Sequence, residues 1–411
     1  MASIQTLPPK VVDSQRTALV VGLAGIILCA VGWISTTASA NAFYRSWLFA
    51  WLFWFGMTLG CMAWVMVHHL VGGGWGRVIQ RMAEAGASNI VVMAILFIPV
   101  IIGVKSLYPW ANHDLVATSA VLTHKAGYLN YPFWLIRAVI YFVGFAILIY
   151  SLIALQNRFD VNHSSATSLL CRRLSAGGLV FYVFGMTFAG VDWIMSREPL
   201  WYSNIFGFIL VVGQALTAIN FLVILLTLLL RVEPLKSFVT RGHYNDLGNL
   251  MLTTTILWAY MNLAQFLITW MGSIQVDVGY YSARWHMTYA IFTVVLHFFI
   301  PFFFLLIKDL KRSPDKLWKV AVFILCVHLF DVYWLVWPSN PPPVLAILPI
   351  RMMLNIAAPI GIGGIWIGLL LSRLGRRSLL AELAHEQPSP SMESLDDPEV
   401  GPHGEHHAHP A

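Results

Sequence analysis

Apolar runs separated by short polar connections fill the chain from about residue 17 to residue 372. A helix that crosses a bilayer needs about 20 apolar residues. Runs of that size occupy 17–39, 47–70, 89–108, 133–155, 174–195, 204–230, 247–271, 285–307, 317–337 and 344–372. All of them predict helices, because a transmembrane barrel would show short strands of alternating hydrophobicity instead. The expected fold class is an all-α polytopic membrane protein of about ten transmembrane helices. A polar N-terminal segment (1–16) precedes this membrane domain (17–372), and a polar tail (373–411) follows it.

Composition sharpens this picture. The 411 residues are 58% hydrophobic and 11% charged, with a mean hydropathy of +0.71, which excludes an ordinary soluble enzyme of that length. Lys and Arg collect on one side: Arg77, Arg81, Arg172, Arg173, the run from Lys308 to Lys319, and Arg373 to Arg377. The other side holds Arg45, Lys105, Lys125, Arg197 and Arg284. The asymmetry predicts a multi-pass membrane protein with both termini cytoplasmic. It also accounts for the net charge of +6, so the charge is no argument for a nucleic-acid partner. Residues 1–16 lack the short apolar core and small-residue cleavage site of a signal peptide.

The four cysteines, Cys29, Cys61, Cys171 and Cys326, have no paired spacing and indicate neither a disulfide framework nor a metal site. Cys29, Cys61 and Cys326 fall within spans and are expected as small apolar packers. The tail is rich in Pro, Ser, acidic residues and histidines (His385, His403, His406, His407, His409), a composition that favours a solvated segment.

Inside the spans, lysines at the edges aside, four ionised side chains stand out: Arg137, Asp192, Asp331 and Arg351. A charge at bilayer depth costs roughly 2.5–3.5 kcal/mol even on the lenient insertion scale, so each marks a candidate site. Asp192 admits two roles, a proton-holding carboxyl able to accept a hydrogen bond from a quinol hydroxyl, or a buried ion pair with Arg137 or Arg351. His328 and Asp331 are three residues apart and share a helix face. Gln265 and His297 complete a set at mid-depth or in the outer half. On the cytoplasmic side, His68 and His69 are either a proton relay or a helix end. Gln214 and Asn220 are the other polar groups expected in the inner half. Asp192, His328, Asp331 and Arg351 are expected to approach one another, since charges of opposite sign at similar depth relieve each other's desolvation.

Three segments carry a family resemblance: Asp192-Trp-Ile-Met-Ser-Arg-Glu-Pro-Leu-Trp201-Tyr-Ser203, His68-His69-Leu-Val-Gly-Gly-Gly-Trp75-Gly, and Ala264-Gln265-Phe-Leu-Ile-Thr-Trp270. Together they resemble alternative complex III, and within it the second of two NrfD-type membrane subunits, the F subunit, over about 17–372. The first segment is shared with the sister C subunit. The resemblance implies two four-helix bundles plus a flanking pair, in a quinol:cytochrome c oxidoreductase of the bacterial inner membrane. Implied partners are the sister NrfD-type membrane subunit, an iron–sulfur subunit, and multihaem and monohaem cytochrome c subunits, with a terminal oxidase as an optional further one. Iron–sulfur clusters and c-type haems would belong to those partners, with quinol as substrate of the whole complex and the better-supported quinol site in the sister subunit. This chain would hold no redox cofactor and would not be catalytic alone. It departs from the family where a Gly-Asn-Ile/Leu-Pro-Glu-Glu loop is usual and Gly272-Ser-Ile-Gln-Val-Asp277 stands here.

Two other functions compete. A secondary transporter would use helices broken near the midplane, for which Pro301, Pro349 and Pro359 with Gly361, Gly363 and Gly364 are the sequence support. A quinone-reactive b-haem subunit would need facing histidines at matched depth, and only His297 and His328 qualify.

Overall fold

The computed structural model describes residues 9–35, 37–273, 275–282, 292–337, 348–375 and 378–380. Every regular element among them is helical, so each segment satisfies its own backbone hydrogen bonds, as apolar surroundings demand. The helices are α1 (Pro9–Ser35), α2 (Thr37–Val71), α3 (Gly74–Ala87), α4 (Tyr131–Asn162) and α5 (Ser165–Trp193). They continue with α6 (Phe206–Leu229), α7 (Arg241–Gly272), α8 (Ile300–Leu306), α9 (Pro314–Val336) and α10 (Leu348–Leu374). A π-helical segment, Phe292–Phe299, leads into α8.

Nine segments among the described residues are long and apolar enough to cross a membrane. The eighth expected span, 285–307, is represented by the shorter apolar helix Thr293–Leu306, and its first part lies outside the described residues. So do the tail histidines from His385 onward, together with Arg284, Arg376 and Arg377.

The centre of the molecule is α2, whose apolar stretch is 94% buried; it packs against α1, α3, α5, α6, α9 and α10. Helices α2 to α5 pack among themselves, as do α6 to α9, and contacts of α2 and α5 with α6 join the two groups. Helix α1 pairs along its length with α10, which also lies on α2. That pairing depends on missing side chains: a Cβ on Gly25 would fall 2.7 Å from the Gly361 backbone, and one on Gly364 would fall 2.5 Å from that of Gly22. Small residues allow such close backbone approach where water offers no hydrophobic drive.

Two boundaries differ from the sequence expectation, and both matter for the site. Gly72 (φ 74°) and Gly73 (φ 101°) take left-handed conformations and reverse the chain at once. The third span therefore starts at Gly74 rather than near 89, and carries Gln80, Arg81 and Glu84 in packed helix. Likewise α4 runs on to Asn162 rather than ending near 155, which brings Gln156 and Asp160 along. Both extensions lie at the face where α1 begins and α10 ends, called here the terminal face.

Helix α10 runs through Pro359 without a break. The carbonyl oxygen of that proline accepts a hydrogen bond from the Trp54 indole at 2.9 Å, and Gly363 makes room for the same ring. The Pro and Gly residues of this stretch thus serve packing, not the midplane break a transporter reading needs. Cys326, expected as a packer, is exposed, whereas Cys29 and Cys61 are buried.

Candidate functional site

Polar groups gather at three levels along the bundle. Nearest the face opposite the termini, Asp192 on α5 is fully buried and meets Arg137 of α4 through two parallel bonds, Nε to Oδ2 and Nη2 to Oδ1, both 2.8 Å. The Tyr141 hydroxyl donates to Oδ2 at 2.9 Å. Arg137 also donates to the Tyr128 carbonyl oxygen at 3.0 Å and lies over the Tyr128 and Phe133 rings, 3.8 and 4.3 Å from their centroids. Burial first, and the Asp192 charge second, push the Tyr128 phenol up to about 12. Two of the alternatives for Asp192 are thereby separated: its carboxylate is held in a bidentate ion pair with Arg137, a geometry that fixes helices in place.

The segment after Asp192 turns back at Met195–Arg197, where Arg197 donates to the Val336 carbonyl oxygen at 2.7 Å. With His124, Lys125 and Tyr128 it borders a surface cavity of about 430 Å³ that includes Glu198, Trp201 and Tyr202. Lys125 donates to the Pro199 carbonyl oxygen at 2.7 Å, and partial burial lowers its pKa.

At the middle level, His297, His328 and Asp331 converge. The His297 and His328 ring centroids are 5.3 Å apart, and His328 Nδ1 is 3.7 Å from Asp331 Oδ2. Both histidines are buried, with 1% and 6% of their surface exposed. His297 reaches this position from the π-helical segment, whose wider turn shifts side-chain phase relative to an α-helix. The Trp258 ring covers it at 3.6 Å between centroids. Gly213 leaves room for His328, whose Cε1 would lie 3.1 Å from a Cβ there. A cavity of about 40 Å³ adjoins His328 and Asp331 and is also lined by Gln214 and Trp258. That is enough for water.

At the terminal face lies a network that the sequence does not announce. His69 Nδ1 is 3.0 Å from Ser175 Oγ, and its Nε2 is 3.3 Å from Gln156 Oε1 and 3.2 Å from Gln80 Nε2. Gln80 donates to Glu84 at 3.1 Å; Arg81 bonds Glu84 at 2.9 Å and also Asp160; and Gln156 donates to Asp160 at 3.1 Å. Glu84 is 3% exposed. The inner half is therefore not limited to Gln214, Asn220 and the His68–His69 pair. His68 stays apart from these bonds, edge-on to Trp75 with ring centroids 5.5 Å apart, in space that a side chain on Gly76 would fill.

The remaining sequence candidates lie elsewhere. Gln265 accepts from Ser203 and donates to Thr269 at 3.2 Å. Arg351 donates to the Tyr333 hydroxyl at 3.2 Å and stacks 3.9 Å from the Trp337 ring centroid. Of the four residues expected to approach one another, His328 and Asp331 do so. Asp192 instead meets Arg137, and Arg351 meets two aromatic side chains.

No protein-family model matches the chain, and no curated protein matches it. Its chemistry must be read from its own residues. Arg81, Glu84, Arg197 and Lys311 are buried, so the set of buried charges is wider than the four that apolar patterning picks out. The available signal is helical spacing: Gln80 and Glu84, like Gln156 and Asp160, are four residues apart and lie on common faces once 74–87 and 156–162 are read as helix.

Proposed function

We propose that this chain is an integral membrane subunit of a bacterial quinol:cytochrome c oxidoreductase of the alternative complex III type, corresponding to its second NrfD-type subunit. In this role it conducts protons while partner subunits oxidise quinol. The observation that carries the reading is the recurrence of titratable groups along an otherwise apolar bundle: buried Glu84 with the part-exposed His69 and Asp160, then buried His297 and His328 with the part-exposed Asp331, below the fixed Asp192–Arg137 ion pair. Packing alone has no need of this recurrence at successive depths on different helices, whereas proton relays require it. The grouping of α2 to α5, α6 to α9 and the α1–α10 pair supports the NrfD-type arrangement of two four-helix bundles plus a flanking pair.

In this reading both termini are cytoplasmic, so the Glu84 network opens to the cytoplasm and Asp192 lies toward the periplasm. The cavity beside Trp201 and Tyr202 then faces the periplasmic partners. Clusters and haems reside in those partners. Purification of the tagged chain from its native membranes tests the assignment: co-purifying iron–sulfur and multihaem cytochrome c subunits are expected, and recovery of the chain without any redox partner contradicts it.

A further inference from the structure

The middle cluster has a property that proton conduction does not call for. We propose that His297, His328 and Asp331 form a binding site for a divalent transition-metal cation of the zinc class.

One ligand atom from each residue lies within 4.8 Å of the other two. Bonds of about 2.0–2.2 Å in tetrahedral geometry place neighbouring ligands about 3.3–3.5 Å apart, so atoms within 4.8 Å of one another need to close by at most about 1.5 Å. Side-chain rotation on α9 and on the π-helical segment supplies that movement.

Independent support comes from unspent bonding capacity. His297 Nε2 and His328 Nδ1 are buried without a hydrogen-bond partner, in side chains 1% and 6% exposed. A buried polar nitrogen left unpaired is unfavourable, and a cation shared by both removes that penalty. Of the two, His328 Nδ1 lies 3.7 Å from Asp331 Oδ2.

The donor set selects the ion class. Two imidazoles with one carboxylate suit zinc and its neighbours in the first transition row, while calcium and magnesium prefer all-oxygen shells. Asp331 offsets one of the two positive charges, which matters in a setting of low dielectric. The adjoining 40 Å³ cavity gives the fourth position room for water. Gly213 leaves space for the His328 imidazole, and the Trp258 ring lies against that of His297 at a tilt of 38°.

A bound cation and a passing proton compete for the same side chains, and occupancy is measured on the chain itself, so its outcome does not depend on the proposed respiratory role. The test is competition between Zn²⁺ and a chelator on the purified full-length chain in detergent, comparing wild type with Asp331→Asn and His297→Phe. Tail histidines bind metal in all three proteins and cancel in the comparison. Wild type is expected to retain one Zn²⁺ more than His297→Phe, and Asp331→Asn to bind that ion more weakly by at least the roughly tenfold that even loss of an outer-shell partner causes. Co²⁺ should give wild type a four-coordinate visible spectrum that Asp331→Asn lacks. Asn matches Asp in volume, so this variant decides the matter even if His297→Phe fails to fold. Equal zinc retention and equal affinity in wild type and Asp331→Asn would overturn the proposal.

Discussion

Asp192 and Glu84 are both buried carboxylates, yet their surroundings assign them different work. Asp192 faces a guanidinium in bidentate geometry and a tyrosine hydroxyl, so its charge is fixed where it stands. Removing one partner of such a pair strands the other in low dielectric. Asp192→Ala should therefore lower stability by about 3–5 kcal/mol, measured as thermal or denaturant unfolding in detergent. The paired substitution Arg137→Met with Asp192→Leu should recover much of the loss. If Asp192→Ala unfolds like wild type, the ion pair is not what holds α4 to α5. Glu84 shares its charge with Arg81, which Asp160 also claims, and Gln80 links it to His69. Residue identity alone conveys part of this. The three-residue spacing of His328 and Asp331 announces their shared face, and Asp192 with Arg137 is visible as opposite charges in neighbouring spans. Arg81, Glu84 and Asp160 are hidden, because a hydropathy window assigns charged helix ends to loops.

At the scale of elements, the informative features are where helices start and how closely they approach. The Gly72–Gly73 reversal lets α3 begin at Gly74, and this alone converts a supposed surface loop into the wall of a polar network. The π-helical segment has the same standing for His297, because no apolar periodicity distinguishes it from α-helix. The α1–α10 pair yields a direct prediction. Gly25→Leu should push the helices apart, since even a Cβ at that position meets backbone at 2.7 Å. Cysteines introduced at Leu19 and Gly368, where a Cβ on Gly368 would lie 2.5 Å from the Leu19 side chain, should crosslink in the otherwise unchanged protein and lose that crosslink in the Gly25→Leu variant. Undiminished crosslinking would show that the small residues do not set the distance between α1 and α10. Here the sequence is legible only in part: the Gly-rich run of α10 suggests a special role, but the choice between a broken helix and a close contact depends on its partner α1.

For the whole molecule, apolar patterning suffices to predict an all-helical membrane protein, because span length and composition follow directly from the thickness and solvent character of a bilayer. Which polar residues meet is set by helix packing, which one-dimensional patterning does not contain. That is why Asp192 and Arg351, expected beside His328 and Asp331, lie with other partners. The titratable groups at the terminal face and at the middle level define the central claim, the proposal that protons cross the bundle by way of Glu84, His297 and Asp331. The most direct measurement is proton release per quinol oxidised by the proposed quinol:cytochrome c oxidoreductase complex in liposomes, for wild type, Glu84→Gln and Asp331→Asn. The account predicts that both variants assemble and turn over quinol in uncoupled membranes while releasing fewer protons per quinol. Unchanged proton stoichiometry in both, with assembly and turnover intact, would contradict it.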